Sequence, residues 1–460
     1  LKEKAAFLKC LLFLLTLTPL LGACNGKPHT VAEGNGSQTE QADADNGSRT
    51  SPDSPGPKNE KGDPVEIVFY TNNGDSEASF DYRYGDLIRQ KFPDYSIKYI
   101  TRTQGTNLDE LLANKTRFDI FFQSIGNFEE WAFPYGIEYD MSELINKHQV
   151  DLKRFEPTII EAMRQASGGK LFGLPVQTNN LVLYYNKDIF DKFGVEYPKD
   201  GMTWEEMVKL SLRLSRNDGN RQYLGFVHSP SHTIRMNPMS IPNIDAKTDK
   251  PTIYKDERWK TFYETYFKSP TTESGYTNLL TQTGTVPNNN NAFVKDQNAA
   301  MMMYLSSLIY VWEEQLKAVN WDIVSLPTVK PGIGSQSYPS YFGITKMAKQ
   351  KDAAMEVLKF MVSDEFQSSL ARKGIMPVLN KEQVKREFGK ESPYRDRNMK
   401  AVFYNDFAPI PERTPYDAKI VNTYSTFFTQ TNVGKLDINS ALLQAEDQAN
   451  IAIEEYKKNQ

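Results

Sequence analysis

Two short polar stretches, each following an apolar run, supply the first residues able to do chemistry. The run 65–70 stops at Thr71-Asn72-Asn73-Gly74-Asp75, and Phe118-Asp119-Ile120-Phe121-Phe122 runs into Gln123-Ser124. Asn72, Asn73, Gln123 and Ser124 are neutral donors and acceptors, suited to holding the hydroxyl or amide groups of a solute. Parts for breaking bonds are scarcer. Histidine occurs at His29, His148, His228 and His232, and Pro230 breaks the helix that would align the last two. No Gly-x-Ser-x-Gly, His-Glu-x-x-His or Gly-x-x-x-x-Gly-Lys-Ser/Thr occurs, so neither hydrolase signature nor a nucleotide-phosphate loop is written here. Asn217-Asp218-Gly219-Asn220 has too few acidic oxygens for a calcium loop and reads as a turn into a strand over 222–227. With 58 acidic residues, an inward-facing carboxylate pair of the glycosidase kind stays open as an alternative.

Composition narrows the classes further. The chain has 460 residues and a formal net charge of −4, and the weak acidity argues against a protein that grips nucleic acid. Both cysteines, Cys10 and Cys24, lie near the N-terminus, which excludes a disulfide scaffold or a zinc–cysteine site in the rest of the chain. Lys2, Lys4 and Lys9 precede an apolar run over 10–21, the pattern of a secretory signal rather than a membrane span. It ends in Leu21-Gly22-Ala23-Cys24, which resembles a bacterial lipobox. Residues 1–23 are therefore expected to be a signal peptide, with lipid on Cys24. Residues 24–63 are Gly, Asn, Ser, Pro and charge, too poor in apolar surface to offset the entropy of ordering, and are expected to be a disordered tether.

The globular body starts near Pro64. After the strand at 65–70, Tyr84, Leu87, Ile88 and Phe92 recur at helical spacing up to Pro93. A strand at 97–100 follows, then a short helix that Asn107 can cap, then the strand at 118–122. Strand–helix–strand alternation predicts an α/β fold with a mainly parallel sheet and ligands beyond the carboxyl ends of its strands. Thr203 and Glu206 form a capping box for a helix through Met207, Leu210 and Leu214. Trp259, Phe262, Tyr263, Tyr266 and Phe267 keep helical spacing and read as packing, and Asn288 to Asn291 reads as a flexible turn. Near the end, Ile438, Ala441, Leu442, Ala445, Ala449 and Ala452 form a helical stripe.

Gly169-Lys170-Leu171-Phe172-Gly173-Leu174-Pro175 leads into Leu181-Val182-Leu183-Tyr184-Tyr185-Asn186-Lys187-Asp188, and Thr203-Trp204-Glu205-Glu206 comes next. These blocks in this order resemble the extracellular solute-binding proteins of ABC importers, in the large family that includes maltose-binding-type receptors. Phe172 departs from the family's usual Tyr. Ala299-Ala300-Met301-Met302-Met303-Tyr304, Trp321 to Pro327, Gly343-Ile344-Thr345 and Gly374-Ile375-Met376-Pro377 continue the likeness, with Asp296 in place of the usual small turn residue.

The resemblance implies two discontinuous α/β lobes of the type II periplasmic-binding-protein kind, hinged around a cleft. Lobe 1 would be 64–178 plus 341–408 and lobe 2 would be 179–340 plus 409–460, with crossings near 177–180, 338–342 and 407–411. It implies a binding protein and not an enzyme, with no cofactor and no metal, a monomer on the outer side of the cell membrane. Its partners would be a small solute, most readily a sugar or oligosaccharide, and the transmembrane subunits of an ABC permease. A non-sugar solute on the same fold is the alternative cargo. Gln177 and Asn179 stand where relatives place sugar-contacting residues, although many of those carry Glu at the second position. Ser306, Tyr310 and Trp312 after the Met-rich strand, and Tyr338, Tyr341 and Tyr416 flanking the other crossings, complete the ligand-binding candidates with Asn72, Asn73, Gln123 and Ser124.

Overall fold

The run expected at 65–70 forms strand β1 (Glu66–Tyr70), buried on both faces as a continuous apolar segment requires. It pairs in parallel with β2 (Ser96–Ile100) on one side and β3 (Ile120–Ser124) on the other. The computed structural model describes residues 64–458; the signal, tether and Cys24 expectations lie outside them. Between β1 and β2 the chain is helical from Glu77 to Lys91, with a wide turn at Asp81–Gly85 inside it. Asn107 caps its helix (Leu108–Ala113) with Glu110 reaching back, a full capping box. The strand Ser340–Ile344 returns antiparallel to β3 and to β4 (Leu174–Gln177), closing a five-stranded sheet.

β5 (Leu181–Asn186) begins a second sheet, flanked by antiparallel Met301–Leu305 and Trp321–Ser325, with Val227–His228 at the edge. Alternation along β5 sends Leu181, Leu183 and Tyr185 into one core and Val182 and Tyr184 into another, so this sheet is covered on both faces.

Only residues 178–180 separate β4 in the first sheet from β5 in the second. Residues 333–336 and 406–408 form a parallel two-stranded ribbon, Ile333 opposite Asp406 and Gln336 opposite Ala408. Lys351–Met361 and Asp364–Arg372 sit on the first sheet's side, whereas Asp417–Asn432 packs with Pro230–Arg235 and with Ile438–Lys458. The stretch 394–403 already lies on the second sheet: Tyr394 meets Trp321 edge-on at 5.0 Å, and Val402 accepts from Asn180 Nδ2 at 2.7 Å.

Trp259, Phe262, Tyr263, Tyr266 and Phe267 are all buried, as their spacing predicts. Trp204 packs edge-on to Tyr266 at 4.6 Å and donates its indole N–H to Thr265 O at 2.9 Å. The stripe Ala441, Ala445, Ala449, Ala452 is buried, and its small side chains let the last two helices approach closely. The Asn288–Asn291 turn is instead the entry to a wide helical turn, Asn291–Lys295, in which Asn288 Oδ1 accepts from Asn291 N. The Asn217–Asn220 segment is the hairpin between Arg216–Asp218 and Arg221–Tyr223. Among the described residues no group of three or more His, Cys, Asp or Glu is placed to hold a metal ion, and no helix is long and apolar enough to cross a membrane.

Candidate functional site

Register places Ser124, Ser340 and Gln177 side by side at one end of the first sheet. The carboxyl ends of β1, β3 and β4 lie there because these three strands share one direction. Gln177 is held from both sides: its Oε1 accepts from the buried Tyr84 hydroxyl at 2.6 Å, and its Nε2 is 3.5 Å from Ser340 Oγ. Next to Tyr84, Arg83 pairs with Asp75 at 2.6 Å. Tyr310, from the second sheet's side, lies near Gln177, and burial raises its hydroxyl pKa. Asn72 is less free than its position at a strand end implied: Tyr70 donates to its Oδ1 at 3.0 Å and Arg102 to its carbonyl at 2.9 Å. Asn73 is exposed, and Gln123 is buried with its Oε1 unpartnered.

At the end of Met301–Leu305, Ser306 anchors the first crossing. Its N–H donates to Asn180 O at 2.9 Å, and its Oγ accepts from Asn180 N at 3.3 Å. Asn179 O accepts from Tyr338 N at 2.9 Å, while its side-chain oxygen is buried without a partner. The expected polar positions around 177–180 are therefore largely engaged in tying crossings together.

The two walls meet at Tyr338. Its hydroxyl is 2.9 Å from Ser124 Oγ, at the end of β3, and accepts from Arg235 Nη1 at 2.8 Å, at the end of helix Pro230–Arg235. Arg235 also lies over the Tyr338 ring, 5.8 Å from its centroid. Glu130, on the short helix Asn127–Ala132 that follows β3, faces the same guanidinium; burial raises its carboxyl pKa and the Arg235 charge works against that. Tyr304 lies near Tyr338 and Asn290, and meets His232 edge-on at 5.2 Å. Burial, helped by the Arg235 charge, pushes His232 down to about 4, so it is neutral at physiological pH and adds no positive charge here. The cluster thus offers two phenol rings, one guanidinium, one carboxylate and several neutral hydrogen-bonding groups, a set suited to a polyhydroxylated solute.

Several expected ligand residues stand elsewhere. Tyr341 belongs to the core: it is fully buried, donates to Ile159 O at 2.6 Å and meets Phe128 edge-on. Tyr416 packs on Tyr456 of the last helix, 5.0 Å between rings. Trp312 sits half-buried between two short helices, against the second core. Arg235, Glu130, Tyr304, His232 and Asn290 were not foreseen. The one available signal was Tyr304, next to last in the Met-rich strand and two residues before Ser306.

Residues 74–368 match the family described as bacterial extracellular solute-binding protein. A binding protein of Brucella abortus (strain 2308) is 23% identical over 269 residues, covering 56% of this chain and 62% of that protein. The arabinooligosaccharide-binding protein of Bacillus subtilis is 26% identical over 164 residues, covering 34% of this chain and 36% of that protein. Among solved structures, a sugar transporter from Rhizobium etli in an open conformation superposes with a TM-score of 0.66 at 20% identity, over 84% of this chain and 99% of the other. An ABC substrate-binding protein of Listeria monocytogenes in complex with cycloalternan gives 0.65 at 20% identity, over 85% and 99%. The chain thus spans about three fifths of the Brucella relative's length (62%), and the structural likeness establishes the fold. That fold is the mixed α/β, two-sheet arrangement of type II periplasmic binding proteins. The match covers well over half of the chain, which therefore belongs to the bacterial extracellular solute-binding protein family.

Proposed function

We propose that this protein captures a sugar or oligosaccharide between its two sheets and delivers it to an ABC permease. The observation that carries the reading is the chain Ser124–Tyr338–Arg235, which joins the end of the first sheet, a crossing segment and a helix of the second sheet at one point. A solute bound there touches both sides, so it stabilises whichever arrangement brings them together, and closure around it is a population shift. The lobes we assign are 64–178 plus 341 to about 387, and 179–340 plus about 388–458, because the chain packs on the second sheet well before 408. Ser124, Gln177, Tyr310 and Tyr338 are retained as solute contacts from the sequence, joined by Tyr304, Glu130 and Arg235. The cargo of two similar proteins, arabinooligosaccharide and cycloalternan, supports a saccharide. The lipobox-like Leu21-Gly22-Ala23-Cys24 supports a lipid anchor on Cys24 that holds the body outside the membrane.

The test is a thermal-shift screen of the purified protein against saccharides, amino acids, peptides and polyamines, since a ligand that binds only the folded state raises its melting temperature. A saccharide hit supports the reading. A shift with a peptide or polyamine alone moves the cargo to another class. Turnover of an oligosaccharide would replace the receptor with a hydrolase.

A further inference from the structure

Arg235 is partnered unlike the other inward-lying arginines. Arg83 has Asp75 at 2.6 Å, Arg413 has Asp417 at 3.5 Å, and Arg117 has Glu66 at 2.5 Å. Arg235 has no such direct ion pair among the described residues; its hydrogen bond goes to the uncharged Tyr338 hydroxyl at 2.8 Å. Its guanidinium carries five N–H donors in a planar fork, and one phenol oxygen satisfies one of them. The side chain is only partly exposed, and among the described residues no carboxylate lies within ion-pair distance of it. A desolvated cation without a counter-charge is costly, and the fork's geometry matches a two-oxygen acceptor.

The surroundings do not supply that acceptor. Glu130 is felt by Arg235 across a gap and not as a bonded partner, and its own burial favours the protonated form. Asp417 is already engaged by Arg413, Asn243 and Thr414. Tyr304, half-buried on this side, has a ring able to pack on the C–H face of a sugar, whereas Tyr338 is buried beneath the guanidinium.

We infer that the solute carries an anionic substituent that docks on Arg235, making the cargo an acidic saccharide. This rests on the saccharide-receptor reading above. Arg235 takes the anionic group bidentately, Tyr338 sets the fork's orientation, and hydroxyls elsewhere on the solute fall to Ser124, Glu130 and Asn290. A carboxylate, a sulfate and a phosphate share this chemistry, so the experiment separates them.

The full-length protein is titrated calorimetrically with three panels: neutral oligosaccharides, uronic-acid oligosaccharides, and sulfated or phosphorylated sugars. Wild type is compared with Arg235→Gln and Arg235→Lys. The expected result is binding of one anionic panel, weakened on the order of 30-fold or more in Arg235→Gln and less in Arg235→Lys, which keeps charge but not the fork. The panel that binds tells carboxylate from sulfate or phosphate. Should Arg235→Gln fail to fold, the wild type carries the test, because an anion on a guanidinium binds more weakly at high salt and a neutral sugar does not. Binding of neutral sugars alone overturns the inference and leaves the receptor reading standing. Anionic binding that Arg235→Gln leaves unchanged also overturns it. No binding in any panel overturns the saccharide reading, and this inference with it.

Discussion

Arg235 Nη1 donates to the Tyr338 hydroxyl at 2.8 Å, across 103 residues of sequence. The same hydroxyl lies 2.9 Å from Ser124 Oγ, so one phenol oxygen links three parts of the chain that sequence keeps far apart. A Tyr at 338 fixes the aim of the guanidinium in a way that a Phe cannot.

Tyr338→Phe should therefore keep the fold and lose solute affinity. The ring still fills its space, and Arg235 and Ser124 retain access to solvent or solute, so the melting temperature should move little. Without that bond the guanidinium must be ordered on binding, which should weaken affinity by about 1 kcal/mol, or roughly five-fold. Calorimetric titration with whatever saccharide the screen identifies checks this; unchanged affinity removes Tyr338 from the site.

Tyr84→Phe makes the opposite demand. The Tyr84 hydroxyl is buried and donates to Gln177 Oε1 at 2.6 Å, so its removal strands a buried acceptor. Stability should fall by about 1–3 kcal/mol, read as a lower urea midpoint with an unchanged slope. A midpoint equal to wild type would mean that the Gln177 amide turns to another donor.

Much of this fold was legible locally. The capping boxes at Asn107–Glu110 and Thr203–Glu206 formed as their spacing predicts, because each is satisfied within four residues. Strands β1 to β3 came from apolar runs bounded by polar turns. The crossings came from resemblance and not from periodicity. The site was harder to read: Tyr338 was named from its crossing, but Glu130, Arg235 and Tyr304 each look like an ordinary helix or strand residue and come near it only through sheet register and helix packing. Tyr341 shows the same limit from the other side: three residues from Tyr338, it lies opposite Gln123 in the sheet and is directed into the core against Phe128. Asn72 sits at its predicted strand end, but its own neighbour Tyr70 occupies its acceptor.

Gly225→Ala should be among the most damaging single changes. A Cβ at Gly225 would stand 1.9 Å from Ser211 O, in the backbone of helix Trp204–Leu214. The neighbour is main chain and cannot swing aside. Gly225 N also donates to Ser215 Oγ at 2.9 Å, which pins the two segments together. Forcing them apart should cost about 3 kcal/mol or more, visible as a large fall in melting temperature or in soluble yield. A variant as stable as wild type would show that this helix can shift without loss.

Glu129 offers a prediction in pH. It is fully buried, its Oε2 accepts from Gly126 N at 2.6 Å, and its Oε1 is unpartnered. Burial pushes its carboxyl up to about 7 from an ordinary 4.5, against the pull of Gly126 N–H and the Arg413 charge, with Asp417 adding to the rise. A group raised in the folded state favours folding while protonated. Its stability contribution is complete below about 4.5 and is lost as pH rises through about 7, a difference on the order of 3 kcal/mol. His228 and His232 work in the opposite sense: burial lowers both, so their contribution is full above about 6.5 and is lost as pH falls towards their folded-state values. Wild type alone would mix the two trends. Comparison with Glu129→Gln isolates the carboxyl, because the histidines cancel and the amide oxygen can still accept from Gly126. Urea unfolding should find the variant more stable than wild type at pH 8, with the gap nearly closed at pH 5. Parallel profiles across that range would show that Glu129 ionises in the folded protein as readily as in water.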